Sequence, residues 1–143
     1  MRSQVPPQEK SKDRILAIDA VTTEDLIEKM RAGFSVEALE SLREHLGVSE
    51  RRLAGVLRMS RSTMARRKKA GTLQTGESER VFRLASLFDQ ARDVLGSEER
   101  ARRWLTSPQY ALGGAVPLEY ADTEPGARQV EHVLGRLAHG LPA

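Results

Sequence analysis

Hydrophobic residues recur every three or four positions along most of this 143-residue chain, and polar residues fill the positions between them. This spacing places the hydrophobic residues on one face of an α-helix, and no segment shows the strict alternation of a half-buried β-strand. One segment carries its apolar residues at Val36, Leu39, Leu42 and Leu46. Ser35 is suited to cap its start and Gly47 to end it. The pattern predicts a helix here and an all-α fold for the chain.

The same signals predict six further helices. They lie at about 23–32, 50–57, 61–69, 77–95, 98–105 and 125–138. The helix at 77–95 carries apolar residues around much of its circumference, which predicts that it is the central buried helix. Residues 106–120 contain Pro108, Pro117 and a glycine pair, so we expect an ordered loop there, with a helical turn at 117–120.

Positive charge is concentrated in one short part of the chain, although the formal net charge of the whole is only +3. Residues 49–70 contain eight Lys or Arg and one acidic residue, Glu50, so this segment has a net charge of +7. The parts before and after it each sum to −2. Such clustering is typical of proteins that bind a polyanion, because each neutralised phosphate releases counterions. The other interpretation is an ordinary solvated helical face.

The basic segment reads as two short helices joined by a tight connection at 58–60. Its inner face consists of Leu53, Ala54, Leu57, Met59 and Met64. The connection is too short for an antiparallel hairpin, so we expect the two helices to cross steeply, as in a helix-turn-helix. Ser60 is placed to cap the second helix and to direct its N-terminus outward.

The face of the second helix opposite Met64 is predicted to enter the major groove of DNA. It carries Arg61, Ser62, Ala65, Arg66 and Lys69. Arginine matches guanine O6 and N7, and serine or threonine can bond several base edges. Arg67 and Lys68 are better placed for phosphates. The predicted DNA contacts are therefore Arg58, Ser60, Arg61, Ser62, Thr63, Arg66, Arg67 and Lys69.

Over about 20 residues this segment resembles the helix-turn-helix of Xre-type, Cro/repressor-like regulators. The shared pattern is a small residue, a turn, Ser-x-x-Thr and a basic recognition helix. One departure is Arg58, which stands where the turn commonly holds glycine, and a non-glycine residue at positive φ is mildly strained. A basic helix pair that binds protein, or nothing, is the alternative interpretation.

Residues 96–140 carry a second set of features, which combines Trp-Leu at 104–105, Leu-Gly-Gly at 112–114, Pro-Leu at 117–118, Gly126 and His-Gly at 139–140. From about residue 49 onward, the chain resembles the Xre/MbcA/ParS antitoxin family, whose C-terminal domain pairs with RES-domain toxins. The resemblance implies a type II antitoxin that binds its own promoter as a homodimer and masks a toxin that consumes NAD. It also implies a larger hetero-oligomer with the toxin.

The resemblance implies that the toxin is engaged by the loop before the last helix, by that helix and by the chain end that follows it. The matching residues are Leu112, Gly113, Gly114, Pro117, Leu118, Arg128, Arg136, His139, Gly140 and Leu141. For Arg128 and Arg136, an ordinary solvated arginine is an equally good interpretation. The expected parts are a flexible arm at 1–20, a helix-turn-helix domain for DNA binding and dimerisation at 21–95, and a small helical toxin-binding lobe at 96–143.

Catalytic chemistry is not indicated. The three histidines lack the spacing of metal ligands, no phosphate-binding loop follows the glycine pair, and no nucleophile is paired with a base. We therefore expect no enzyme activity, no metal and no cofactor. A stand-alone Xre-type transcriptional regulator, in which the C-terminal lobe only dimerises, is the alternative function.

A cytoplasmic protein is the expectation from three further features. The chain has no cysteine, which fits a reducing compartment. Its longest uncharged stretch, residues 104–118, is too short to span a bilayer and contains two prolines. The first residues lack the apolar segment of a signal peptide.

Overall fold

The computed structural model describes residues 15–18 and 20–141, so most of the arm predicted for 1–20 lies outside the described residues. Between residues 20 and 141 there is no β-strand, and Ser35 and Thr72 form an isolated antiparallel bridge. The predicted all-α fold is confirmed. The α-helices of this stretch are α1 (Thr23–Ala32), α2 (Val36–Leu46), α3 (Glu50–Val56), α4 (Arg61–Ala70), α5 (Thr75–Leu95), α6 (Glu98–Leu105), α7 (Pro117–Tyr120) and α8 (Glu124–Ala138), with a 3-10 helix at Tyr110–Leu112.

Short polar side chains fix the starts of most helices. Six helices are preceded by a serine or threonine whose hydroxyl accepts a hydrogen bond from a backbone N–H two or three residues later. These N-caps are Thr22, Ser35, Ser49, Ser60, Ser97 and Thr123. Each such cap stabilises its helix by roughly 1 kcal/mol, because it satisfies an N–H that has no partner within the helix.

The first of two compact units extends to Ser86. Leucines of α2 and α3 form much of its core, together with the first half of α5. Its most buried large side chains include Phe34, Leu42, Leu46, Leu53, Leu57 and Val81. Ile15 and Leu16 are also buried, and Ser41 Oγ donates a hydrogen bond to the Ile15 carbonyl. The apolar end of the predicted arm is thus part of this core.

Backbone hydrogen bonds attach the end of α4 to the connection between α1 and α2. The Leu73 N–H donates to the Phe34 carbonyl at 2.8 Å, and the Val36 N–H donates to the Gly71 carbonyl at 3.1 Å. The Phe34 N–H in turn donates to Ser78 Oγ at 2.9 Å, near the start of α5. The residues that follow α4 are thus bonded to the α1–α2 connection, which is itself bonded to α5. These bonds fix the position of the C-terminal end of α4 in the unit.

The second unit begins at Leu87, inside α5. Its most buried large side chains include Leu87, Phe88, Leu105, Leu118, Val130 and Leu134. The sequence placed the boundary at Gly96, where α5 ends. The two positions differ because the second half of this long helix supplies core residues of the second unit. The predicted division into functional domains at 21–95 and 96–143 stays a prediction.

No helix in the part of the chain that the structure describes combines the length and the apolar character needed to cross a membrane. Among the same residues, no group of three or more His, Asp or Glu is arranged to hold a metal ion.

The end of α7 and the start of α8 approach each other closely at Gly126. A Cβ atom on Gly126 would lie 1.8 Å from the carbonyl oxygen of Tyr120 and 3.0 Å from its carbonyl carbon. A backbone carbonyl cannot move aside as the end of a flexible side chain can, so only glycine fits here. Gly135 lies in the same helix, and a Cβ there would have no neighbour within 4 Å.

These two glycines provide a matched test of the packing of the second unit. We expect Gly126→Ala to destabilise the protein by about 2 kcal/mol or more, because α7 and α8 must separate to admit the methyl group. Gly135→Ala should be neutral or stabilise by up to about 1 kcal/mol, because alanine is the better helix former. Urea unfolding followed by circular dichroism measures both. Equal stability of the two variants would contradict the close approach.

Candidate functional site

Four residues, 57 to 60, connect α3 to α4. The Met59 N–H donates to the Ala54 carbonyl at 2.9 Å, and Arg80 Nε of α5 donates to the Leu57 carbonyl at 3.0 Å. Arg58 adopts a φ of 57°, so the turn takes the left-handed conformation even though this chain lacks glycine there. The departure noted in the sequence therefore leaves the geometry of the turn intact, at the strain expected for a non-glycine residue.

Hydroxyl groups organise the N-terminus of α4. Ser60 Oγ accepts a hydrogen bond from the Thr63 N–H at 3.1 Å and donates one to Thr63 Oγ1 at 2.9 Å. Ser62 Oγ lies 3.2 Å from Ser60 Oγ, and Arg66 Nη2 donates to Thr63 Oγ1 at 3.2 Å. Ser60 thus caps the helix as predicted, and Thr63 positions the Arg66 guanidinium on the helix surface.

One face of α4 is buried and the other is open to solvent. Met64 is 4% exposed and packs into the core, together with Leu53 and Leu57 of the preceding segment. The residues predicted to face the DNA bases are all exposed, namely Arg61, Ser62, Ala65, Arg66 and Lys69. The structure therefore brings the predicted base-reading residues together on one surface, which we call the α4 outer face.

Arg67 points away from this face. Its Nε donates to Glu77 Oε1 at 2.7 Å, and the two side chains are only 15% and 8% exposed. Glu77 Oε1 also accepts the Gln74 N–H at 2.8 Å. Although Arg67 was predicted to contact phosphate, in the structure its guanidinium joins α4 to the start of α5. Lys68 likewise pairs with Glu50, at 2.6 Å.

The environment of the Arg67–Glu77 pair favours the charged form of both groups. Burial acts to raise the pKa of the Glu77 carboxyl, but hydrogen bonds from Arg67 and from the Gln74 N–H outweigh it and hold the pKa below its ordinary value. The hydrogen bond to Glu77 raises the pKa of the Arg67 guanidinium. This pairing could not be predicted from the sequence, because the two residues are ten positions apart and the chain contains many other charged residues.

In the second unit, the loop before α7 is closed by backbone hydrogen bonds. The Gln109 N–H donates to the Ala115 carbonyl at 3.0 Å, and the Gly114 N–H donates to the Gln109 carbonyl at 2.9 Å. Gly113 and Gly114 are exposed and have φ of 67° and 88°, which explains the glycine pair. Leu112 is half-buried. We call residues 109–115 the Gln109 loop.

The residues predicted to engage a toxin, besides the half-buried Leu112, fall into two groups. Pro117 and Leu118 are buried, because α7 inserts them into the core of the second unit, and they are therefore not on its surface. The members that are exposed are Gly113, Gly114, Arg128, Arg136, His139, Gly140 and Leu141. Of these, Arg128, Arg136, His139 and Leu141 border a shallow groove along α8. Arg128 Nη2 also pairs with Glu124 at 2.9 Å.

Tyr110 was not among the predicted toxin-binding residues, although it lies in the Gln109 loop with almost its whole side chain in solvent. The available signal was an aromatic residue between a proline and a glycine pair, in a segment with no helical pattern. Aromatic residues are usually assigned to the core, and this one is not in it.

Two short helices joined by a tight turn, the second presenting arginines to solvent, define a helix-turn-helix DNA-binding protein. Comparison with known families supports this class and extends it. Residues 25–86 match the antitoxin Xre-like helix-turn-helix domain, and residues 90–140 match the antitoxin Xre/MbcA/ParS C-terminal toxin-binding domain.

Relatives agree with the family models. Antitoxin Xre of Yersinia enterocolitica is 36% identical over 121 residues, which cover 81% of this chain and 80% of that protein. Antitoxin Xre of Photorhabdus laumondii is 34% identical over 91 residues, covering 63% and 60%. The Prs ADP-ribosylating antitoxin of a Sphingobium species is 29% identical over 128 residues, covering 81% and 79%. The chain belongs to the Xre family of antitoxins.

Membership in this family identifies the protein as an antitoxin that has a toxin partner and binds DNA through its helix-turn-helix. The family consists of antitoxins and helix-turn-helix regulators, not enzymes, as the sequence predicted.

The Arg67–Glu77 pair gives a pH-dependent prediction. The folded pKa of Glu77 lies below its ordinary value of 4.5, so the pair contributes its full stability above that pH and loses it as the pH falls through the folded pKa. Glu77→Gln should cost about 1 to 3 kcal/mol at pH 7, because the Arg67 charge loses its partner. The difference from wild type should narrow below pH 4.5.

Urea unfolding at several pH values measures this difference. The control is Glu79→Gln, an exposed neighbour on the same helix that should change stability by less than about 0.5 kcal/mol. A Glu77→Gln deficit that stays constant from pH 7 to pH 3 would refute the role assigned to the ion pair.

Proposed function

We propose that this antitoxin neutralises a cognate RES-domain toxin by masking its NAD-dependent active site, and that it represses its own operon by binding promoter DNA as a homodimer. The observation that carries the proposal is that each unit has its own exposed surface of the required chemistry. The first unit has the cationic α4 outer face. The second has the exposed end of α8 and the Gln109 loop, within the segment that matches a toxin-binding domain.

The α4 outer face supports sequence-specific DNA binding. Arg61 is the first residue of a capped helix and Arg66 lies in its second turn, where their guanidinium groups can reach base edges if the helix enters the major groove. Lys69 lies farther along the same face and suits a backbone phosphate. Arg67 is left out of this surface, because its charge is held by Glu77, and we assign it the role of positioning α4.

The homodimer gives the proposal a geometric consequence. Two copies of α4 related by twofold symmetry fit successive major grooves when they are about 34 Å apart, which is one turn of B-DNA. The operator is therefore expected to contain two inverted half-sites whose centres are one helical turn apart. Repression of the operon follows if this operator overlaps the promoter.

The name of one relative supports the proposal that the toxin consumes NAD. The Sphingobium protein is named a Prs ADP-ribosylating antitoxin, and ADP-ribosyl transfer takes its ADP-ribosyl group from NAD and releases nicotinamide. Degradation of NAD and modification of a target protein both release nicotinamide. Nicotinamide release by the cognate toxin therefore reports its activity in either case.

DNA binding is tested by Arg61→Ala combined with Arg66→Ala. Removing two base-contacting arginines should weaken binding to the promoter roughly 30-fold or more, since each such contact contributes about 1 to 3 kcal/mol. Fluorescence anisotropy with labelled promoter DNA measures the affinity. The control is Arg103→Ala, which removes an exposed arginine from α6 and should leave the affinity unchanged. An unchanged affinity of the double variant for promoter DNA would disprove the assignment of α4 as the recognition helix.

Toxin masking is tested by deleting the residues that follow Ala138. This deletion removes the exposed His139, Gly140 and Leu141 but keeps the buried residues of α8, so the second unit should still fold. We expect nicotinamide release by the toxin to resume in the presence of the truncated antitoxin, while binding to promoter DNA is unchanged. Full inhibition by the truncated chain would rule out a role for this end of the chain in masking.

A further inference from the structure

Tyr110 has the most exposed large hydrophobic side chain in the described part of the chain. It is 95% exposed, and the next, Val21, is 61% exposed. A tyrosine in this position contributes almost nothing to the stability of the fold through apolar burial, because nearly all of its ring is in contact with solvent. Its ring is therefore available to contribute to the free energy of binding another molecule.

The loop that carries Tyr110 is held in one conformation by its own hydrogen bonds. Besides the two bonds that close the Gln109 loop, the Gly113 N–H donates to the Tyr110 carbonyl at 3.0 Å, and the Ala115 N–H donates to the Leu112 carbonyl at 3.2 Å. Gln109 Nε2 donates to the Trp104 carbonyl at 2.9 Å, which attaches the loop to the end of α6. The backbone under Tyr110 is therefore fixed before any partner binds.

The residues beside Tyr110 leave its surroundings open. Gly113 and Gly114 present bare backbone, and a Cβ on either would have no neighbour within 4 Å. The 3-10 helix that contains Tyr110 contacts α8. The exposed tyrosine is thus part of the same small unit as the helix whose end we propose to mask the toxin.

An exposed aromatic ring on a fixed loop has the properties of an interface anchor. A tyrosine side chain has only two rotatable torsions, so little conformational entropy is lost when it is immobilised. Its ring supplies a large apolar area and its hydroxyl a hydrogen bond, and tyrosine is enriched among the few residues that dominate binding energy. Because the loop is already ordered, binding incurs no further cost of ordering it.

We propose that Tyr110 is an anchor of the toxin interface, inserting its ring into an apolar pocket of the cognate toxin whose rim offers a hydrogen-bond partner to the hydroxyl. The proposal rests on the proposed function, since it assigns this surface to the same toxin. The toxin is the occupant because Tyr110 lies within the segment that matches a toxin-binding domain and next to α8. The Val21 side chain, by contrast, lies in the first unit, outside that segment.

The test measures the affinity of the full-length chain for the purified cognate toxin by isothermal titration calorimetry. Tyr110→Ala should weaken binding roughly 30-fold, as expected for a central anchor. Tyr110→Phe keeps the ring and should lose less than about fivefold, which is the share of one hydrogen bond. The melting temperature of both variants should equal that of wild type, because the side chain is not buried. Val21→Ala is the control and should bind toxin normally.

The outcomes separate this proposal from the one on which it rests. If wild type binds the toxin and Tyr110→Ala binds equally well, the anchor is refuted while toxin masking stands. If wild type does not bind the toxin at all, both are refuted. If Tyr110→Ala keeps its toxin affinity but converts a dimer into a monomer in sedimentation, the ring belongs to an interface between copies of this chain, and the proposal is overturned.

Discussion

The ion pair between Arg67 and Glu77 is the interaction on which the DNA-binding surface depends. Arg67 lies on the inner side of α4, and its guanidinium bonds a carboxylate near the start of α5 that also caps the Gln74 N–H. The pair is mostly withdrawn from solvent, so it is less screened than the surface pairs elsewhere in the chain. It holds one cation of a basic helix inward and so fixes which cations face outward. Together with the burial of Met64, it fixes the rotation of α4 that leaves Arg61 and Arg66 exposed.

Much of the fold could be predicted from local sequence signals. Serine and threonine caps and glycine stops fixed the helix boundaries, because their effect depends on the residues within one turn. Features that depend on distant partners could not be predicted. The 3-10 helix at Tyr110–Leu112 has no periodic pattern. The pairing of Arg67 needs a partner ten residues away, and the burial of Pro117 and Leu118 depends on how α7 packs against α8.

The two candidate surfaces also differ in how far they could be predicted from local sequence. The α4 outer face was predictable, because helical periodicity places Ser62, Arg66 and Lys69 on the side away from the buried Met64. The C-terminal surface was predicted only through family resemblance, which does not distinguish motif residues that build the fold from those that remain on its surface. Leu118 belongs to the first kind and His139 to the second. Exposure in the folded chain is what separates them.

We propose that DNA and toxin bind separate surfaces of one chain, one in each unit. Hydrogen exchange by mass spectrometry, on the antitoxin bound to promoter DNA and on the antitoxin bound to its toxin, tests it most directly. DNA is expected to slow exchange in and around α4 only. Toxin is expected to slow exchange in the Gln109 loop and in the last turns of α8. Protection of α4 by the toxin, with none in α8, would contradict it.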